Sequence, residues 1–173
     1  PLETIQARLR DGNFRKFRLS DSFIEQYKTR KAPFGFGGLG EIVYLRTYSR
    51  ILDSGENEQW YQTIERVVNG IYNLQKRWMY DRGLPFDTTK AQTSAQEMYS
   101  RMFDMKFLPG GRSLWAMGSP ITEQKGLYSA LFNCVAVSTG QIKDNPTFPF
   151  TFLMDMLMTG CGTGIDCLGA GKI

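Results

Sequence analysis

The sequence predicts an α/β protein in which a helical N-terminal region precedes the first strands and helix of a larger sheet. Apolar residues recur at helical spacing in two long segments between residues 58 and 107. From residue 131 onward the sequence pattern changes to short apolar runs and glycine-rich turns. Only two strand candidates are present, and a sheet needs more strands to bury both faces. We therefore expect the α/β part to be incomplete in this chain.

Composition narrows the class of protein. Hydrophobic residues make up 42% of the 173 residues and aromatics 13%, as in a globular protein. No apolar run approaches the roughly 20 residues that span a bilayer. The three cysteines are too few and too irregular for a disulfide framework, so we expect a reducing, cytoplasmic location. The chain begins with Pro instead of Met, and we expect its front to be processed or cropped.

Histidine is absent from the sequence, which excludes several kinds of site within this chain. A Ser-His-Asp triad, a His-paired cysteine nucleophile and a His-ligated zinc site all need an imidazole. No metal site is predicted. Chemistry in this chain must use thiols, carboxylates, backbone groups or a second chain.

Positive charge is concentrated near the front of the chain. The net charge is +4, and Lys and Arg cluster between Arg8 and Lys31 with aromatic residues among them. Such a cluster can contact phosphates, but no nucleic-acid-binding motif accompanies it. We favour a solvated surface arm and expect no direct nucleic acid binding. Three segments are predicted: a basic arm over 1–19, a helical region over 20–107, and the start of the α/β part over 108–173.

The helical region begins with short elements. Ser22 and Glu25 have capping-box spacing, which predicts a helix from Ser22 to Arg30. Gly and Pro dominate Ala32 to Gly40, which predicts a loop. Glu41 to Leu52 is compatible with either a strand or a short helix.

Two longer helices follow. Apolar spacing predicts the first from Glu58 to Leu74. Asp81 to Thr88 is rich in turn residues, and Thr88 or Thr89 can cap a second helix that runs to about Phe107. Pro and Gly in Leu108 to Arg112 are expected to end it.

The α/β part is predicted to alternate strand, helix and strand. Leu131 to Val137 (LFNCVAV) is short and apolar, as in a buried strand, and Ser138 to Pro146 is a polar loop. Pro149 suits the first turn of an apolar helix that ends near Gly160. A second short strand is expected around Ile165.

Local features around Cys134 leave its role open. A free cysteine inside a strand is most often a small buried hydrophobe. Asn133 beside it is less ordinary, because a buried amide must find hydrogen-bond partners. The GCGTG run, Gly160 to Gly164, allows close approach of a phosphate or base, but the local pattern favours a tight helix-to-strand turn. Asp155 and Asp166 are lone carboxylates for which no acid–base role is predicted.

Five blocks of sequence stand out when they are taken together and in order. They are LGEIVYLRTYSRIL (39–52), IERVVNGIYNL (64–74), LPGGRSLWAMG (108–118), LFNCVAV (131–137) and PFTFLMDMLMTGCGTGID (149–166). These blocks resemble the adenosylcobalamin-dependent (class II) ribonucleotide reductases, particularly the monomeric ribonucleoside-triphosphate type. The resemblance covers the chain from about residue 20 to its end and implies an N-terminal part of such an enzyme.

The resemblance implies a ten-stranded α/β barrel preceded by a helical region, with radical chemistry that converts ribonucleotides to deoxyribonucleotides. Cys134 matches one of two cysteines that reduce the substrate and become a disulfide. A dithiol supplies the two electrons that removal of the ribose 2′-hydroxyl requires. Asn133 and Gly162 match positions that contact substrate. Leu108 matches a position in a substrate-phosphate loop, where only its backbone could contribute.

The same resemblance implies components that lie outside this chain. These are the radical cysteine, the second redox cysteine and most of the adenosylcobalamin surface. We expect the chain to be inactive without the remaining barrel, as a fragment or as one subunit of a split reductase. Expected partners are a ribonucleoside di- or triphosphate, a dNTP allosteric effector, the remaining barrel chain and a thioredoxin-type reductant.

Two alternatives stay open. One is a non-catalytic module that binds a nucleotide or a partner chain. The other is part of a class I-type reductase large subunit, which uses a different radical source.

Overall fold

The computed structural model describes residues 12–140, 142 and 144–168. The chain divides into two compact units, a helical unit (Pro1–Gly126) and a strand unit (Leu127–Ile173). The division falls later than the predicted boundary at residue 108. The physical reason is that Leu114 and Ala116 are buried within the helical unit.

The helical unit contains six α-helices and one 3₁₀ turn among its described residues. In chain order these are α1 (Asp21–Lys28), the 3₁₀ turn (Phe36–Gly38), α2 (Leu39–Thr47), α3 (Trp60–Tyr80), α4 (Thr88–Phe103), α5 (Gly111–Ala116) and α6 (Pro120–Glu123).

Helices α3 and α4 form the core of this unit. Their fully buried side chains repeat every three or four residues, which confirms the predicted amphipathic helices. The indole of Trp60 donates to the carbonyl of Phe103 at 3.0 Å, joining the start of α3 to the end of α4. The hydrophobic side chains with no exposed surface are Ile64, Val67 and Val68 on α3, and Ala95, Tyr99 and Met102 on α4.

Near the start of the helical unit, the structure corrects one prediction and decides between two alternatives in another. Helix α1 begins at Asp21 after Ser20, so the capping box predicted at Ser22 is wrong. The ambiguous segment 41–52 is mainly helical, because α2 covers Leu39–Thr47. Gly38, at φ 96°, precedes α2 in a backbone conformation that favours glycine.

The ends of the two long helices also differ from prediction. Helix α3 continues to Tyr80, beyond the predicted end at Leu74. Helix α4 ends at Phe103 instead of Phe107, and Met105 follows in a left-handed conformation at φ 56°. The cap of α4 is Asp87, whose carboxylate accepts the backbone N–H of Lys90 at 3.0 Å.

The last part of the predicted basic arm packs on α3. Phe17 and Leu19 are buried, while Lys16 and Arg18 beside them are exposed. The side-chain oxygen of Asn73 accepts the backbone N–H of Phe17 at 2.5 Å. The side-chain oxygen of Asn69 accepts the backbone N–H of Leu19 at 2.9 Å. The prediction of a solvated arm is therefore wrong for residues 17 and 19, and residues 1–11 lie outside the described part.

The strand unit is a strand–helix–strand arrangement, as predicted. A 3₁₀ turn (Tyr128–Leu131) leads into β1 (Cys134–Val137), which is followed by α7 (Phe148–Met158) and β2 (Gly162–Ile165). The two strands pair in parallel, and α7 makes the crossover that parallel strands require. Two paired strands are described, and the ten-stranded barrel stays a prediction.

Across the described residues, no helix combines the length and apolar character needed to cross a membrane.

Candidate functional site

The parallel strands bring three of the predicted site residues together. Cys134 at the start of β1 lies directly opposite Gly162 at the start of β2. The backbone N–H of Gly162 donates to the carbonyl of Asn133 at 2.9 Å. Asn133, Cys134 and Gly162 therefore form one cluster at the beginning of the sheet, although Gly162 lies 28 positions after Cys134 in the chain.

Cys134 is exposed in this chain, so the interpretation of an ordinary buried thiol is wrong. The strand alternates, with Cys134 and Ala136 exposed and Val137 buried, instead of being buried on both faces. Asn133 is exposed as well, which leaves its amide free of the burial penalty expected for it.

The absence of a side chain at Gly162 keeps the space beside the thiol open. A Cβ atom there would lie 3.6 Å from Cys134 Sγ and 3.4 Å from the Asn133 carbonyl. The next residues on the same face, Ala136 and Gly164, are also small and directly opposite each other. A molecule can therefore reach the Cys134 sulfur along a face that has little side-chain bulk.

The other two cysteines differ from Cys134 in their surroundings. Cys161 is only 2% exposed, and its thiol contacts the Gly162 carbonyl at 3.8 Å. Cys167 follows β2 and is exposed. All three are free thiols, so neither neighbour forms a disulfide with Cys134 in this chain.

At the opposite end of the sheet, Asp166 binds the segment that follows β1. Its carboxylate Oδ1 accepts the backbone N–H of Thr139 at 3.0 Å and the Thr139 hydroxyl at 2.9 Å. It also accepts the backbone N–H of Leu168 at 3.2 Å. These bonds from Thr139, with a further one from Ser138, lower the pKa of Asp166 to about 2.

Sequence reasoning missed this contact because it treated Asp166 as an isolated carboxylate. A signal was available in the pattern. Asp166 directly follows Ile165 in one predicted strand, and Ser138 and Thr139 directly follow the other, so parallel pairing places donors and acceptor at the same edge.

Leu108 lies in the helical unit and is not part of the Cys134 cluster. Its side chain is 44% exposed. It lines an apolar cleft of about 420 Å³, together with Phe34, Tyr44 and Trp60. No Lys or Arg side chain is among the described residues that line this cleft.

Within the described residues, no group of three or more His, Cys, Asp or Glu side chains could hold a metal ion.

Comparison with known proteins gives one consistent result. The ribonucleotide reductase alpha domain family matches residues 19–119. A probable adenosylcobalamin-dependent ribonucleoside-triphosphate reductase of Dictyostelium discoideum is 57% identical over 159 residues, covering 92% of this chain and 21% of that protein. The reductase of the same name from Euglena gracilis is 46% identical, covering 91% of this chain and 22% of that protein.

A solved structure agrees with these relatives. The crystal structure of a B12-dependent (class II) ribonucleotide reductase matches with a TM-score of 0.69 and 31% identity. The match covers 87% of this chain and 23% of that one. The chain thus spans about a fifth of the length of the relatives that it matches.

Proposed function

Because the chain belongs to the ribonucleotide reductase family through its alpha domain, we propose that it supplies the N-terminal part of an adenosylcobalamin-dependent ribonucleoside-triphosphate reductase. The names of the relatives favour a ribonucleoside triphosphate over a diphosphate as substrate. In this proposal Cys134 is one of the two cysteines that reduce the ribonucleotide to a deoxyribonucleotide.

The observation that carries the proposal is the exposed thiol of Cys134 directly opposite Gly162. Two thiols deliver two electrons and two protons when they become a disulfide. The ribose 2′-hydroxyl then leaves as water, and a hydrogen takes its place on the sugar. Cys134 supplies one of these thiols, and the second comes from a reductase segment outside this chain.

Asn133 and Gly162 are proposed to position the substrate beside the thiol. The exposed amide of Asn133 can both donate to and accept from a sugar hydroxyl or a phosphate. Gly162 leaves the space in which the sugar approaches Cys134. For Leu108, a backbone contact to the substrate phosphates is proposed on the resemblance alone.

The described residues do not fit a binding site for adenosylcobalamin. The cavities described in the helical unit have volumes of about 290 to 420 Å³. These volumes lie near the lower end of pockets for drug-sized ligands, and adenosylcobalamin is larger than such ligands. We therefore assign cofactor binding to segments outside this chain. A dNTP effector and a thioredoxin-type reductant likewise remain proposed partners.

Reconstitution tests the proposed function. The chain is mixed with the complementary reductase segment, adenosylcobalamin, a ribonucleoside triphosphate and a dithiol, and deoxyribonucleotide formation is measured. We expect Cys134→Ser to abolish turnover, because serine cannot become half of a disulfide.

Cys167→Ser is the matched control, since Cys167 is also an exposed thiol of the strand unit. It should leave turnover close to that of the unmodified chain. Full turnover by Cys134→Ser would overturn the role of Cys134. Nucleotide binding without turnover in every mixture would favour the non-catalytic binding module.

A further inference from the structure

We propose that Asp166 is a positioning residue, which fixes the register of β1 on β2 and thereby holds Cys134 beside Gly162. The catalytic consequence rests on the function proposed above. The structural part, a fixed register, can be tested without any turnover.

The geometry places Asp166 where it can set the register. Cys134 pairs with Gly162 at one end of the sheet, and Val137 pairs with Ile165 at the other. Asp166 follows immediately, and its carboxylate accepts both the N–H and the hydroxyl of Thr139. The Thr139 hydroxyl also lies 3.1 Å from the Asp166 carbonyl. The segments that leave the two strands are thus tied together by side chain and backbone.

The hydrogen bonds between Asp166 and Thr139 matter for the register because the sheet is so short. Only four residue pairs join β1 to β2. In parallel strands a slip of one residue turns every side chain of that strand to the other face. Such a slip would remove the Cys134 thiol from the face that it shares with Gly162. A slipped β1 would also carry Thr139 away from the Asp166 carboxylate, so the tie opposes the slip directly.

The hydrogen bonds around Asp166 are oriented toward a charged acceptor. Three donors converge on Oδ1: the N–H and hydroxyl of Thr139 and the N–H of Leu168. Hydrogen bonds to an ionised carboxylate are stronger than those to a neutral acceptor. The same donors lower the pKa of Asp166, so its carboxylate stays charged at acidic pH values where an ordinary aspartate takes up a proton.

Hydrogen exchange with mass spectrometry on the full chain tests the register. We expect Asp166→Ala to speed amide exchange in β1 and β2 several-fold, and Asp166→Asn to have a smaller effect because it keeps an acceptor oxygen. The control is Asp155→Asn, which removes an exposed carboxylate from α7 in the same unit. That variant should exchange like the unmodified chain. Unchanged exchange in Asp166→Ala would overturn the proposal.

The buried thiol of Cys161 reports whether the strand unit is still folded. If Asp166→Ala makes Cys161 reactive toward iodoacetamide, the strand unit has unfolded in that variant. The exchange rates of Asp166→Asn then test the register role instead. Faster exchange in Asp166→Asn with Cys161 still protected supports the register role, and unchanged exchange overturns it.

The reconstituted reductase supplies the catalytic readout. Per folded chain, Asp166→Ala should lower kcat while leaving KM for the nucleotide nearly unchanged, because it misplaces a reacting thiol and removes no substrate contact. Asp166→Asn should recover part of kcat. A changed KM with normal kcat would contradict positioning. Failure of the Cys134→Ser test would overturn the proposed function and leave the exchange result standing.

Discussion

The two units of the chain differ in how completely they bury their own apolar surface. In the helical unit, α3 and α4 place six hydrophobic side chains at zero exposure, and aromatic rings pack around them. In the strand unit, α7 has a single charged residue, Asp155, yet Pro149 is its only buried side chain among the described residues. Phe150, Met154 and Met158 are 55%, 59% and 79% exposed.

The helical unit buries its apolar side chains by its own packing, whereas the strand unit leaves those of α7 exposed. A helix that is apolar all round belongs in an interior, and two strands cannot cover it. Further strands and helices of an α/β sheet are the kind of structure that buries such a surface. The contrast supports the proposal that the strand unit works within a larger reductase barrel.

The largest effect is expected on the free energy of unfolding of the helical unit, when an ion pair in its interior is broken. Glu58 is 4% exposed, and it accepts from Arg66 Nε at 2.7 Å and from the Thr63 hydroxyl at 2.8 Å. Glu58→Gln leaves the Arg66 guanidinium buried without its counter-charge. We expect the free energy of unfolding to fall by roughly 3 to 5 kcal/mol. Urea unfolding followed by tryptophan fluorescence measures it, because all three tryptophans lie in this unit.

The matched control is Glu97→Gln. Glu97 pairs with Arg101 on the surface of α4, and both side chains are 64% exposed. Removing this pair should change the free energy of unfolding by less than about 1 kcal/mol. Equal losses from the two variants would show that the Glu58–Arg66 pair does not stabilise the core.

The sequence predicted the elements whose signal is periodic and missed those that depend on distant contacts. Helices α3, α4 and α7 and both strands follow from apolar spacing and from Pro or Gly at their ends. Helices α5 and α6 were not predicted because they are too short to show a period. The place of α5 depends on Arg66, which donates to the carbonyls of Leu114 and Met117 at 2.8 and 2.6 Å.

The candidate site shows the same limit. A strand at Cys134 and another near Ile165 could be predicted from local pattern, but their register could not. That register decides that Cys134 faces Gly162 and that Thr139 meets Asp166. Leu108 could be assigned only by resemblance, and its neighbours in the structure are apolar.

A smaller effect is expected from filling the space at Gly162. In Gly162→Ala the new Cβ lies 3.6 Å from Cys134 Sγ, an ordinary contact that the fold can accept. The methyl group occupies space proposed for the sugar, so kcat/KM should fall by about tenfold or more. The reconstituted assay measures this, with exchange of β1 and β2 unchanged.

Gly164→Ala provides the comparison on the same face of β2. Its Cβ would lie 3.9 Å from the Val135 carbonyl and 4.0 Å from Ala136 Cβ, away from the thiol. It should retain more activity than Gly162→Ala. If the two variants lose activity equally, the space beside Cys134 is not special.

The smallest expected effect is a pH dependence of opposite sign in the two units. In the helical unit, burial raises the pKa of Glu65 above its usual value of 4.5. The folded state then binds a proton more readily, so Glu65 contributes stability as the pH falls through this range. In the strand unit, hydrogen bonds from Thr139 and Ser138 lower the pKa of Asp166 from 3.8 to about 2. Its contribution is complete above about pH 4 and is lost as the pH falls toward 2.

Neutral variants isolate each contribution from the other titrating groups of the chain. Between pH 6 and 4, tryptophan-detected stability of the helical unit should gain less on acidification in Glu65→Gln than in the unmodified chain. Between about pH 4 and 2, β1 and β2 should lose protection in the unmodified chain, after correction for the intrinsic exchange rate, and Asp166→Asn should show no such step. The signs must differ because one carboxylate is held away from water and the other is surrounded by donors. A loss of protection in Asp166→Asn as large as in the unmodified chain would place the titrating group elsewhere in the strand unit.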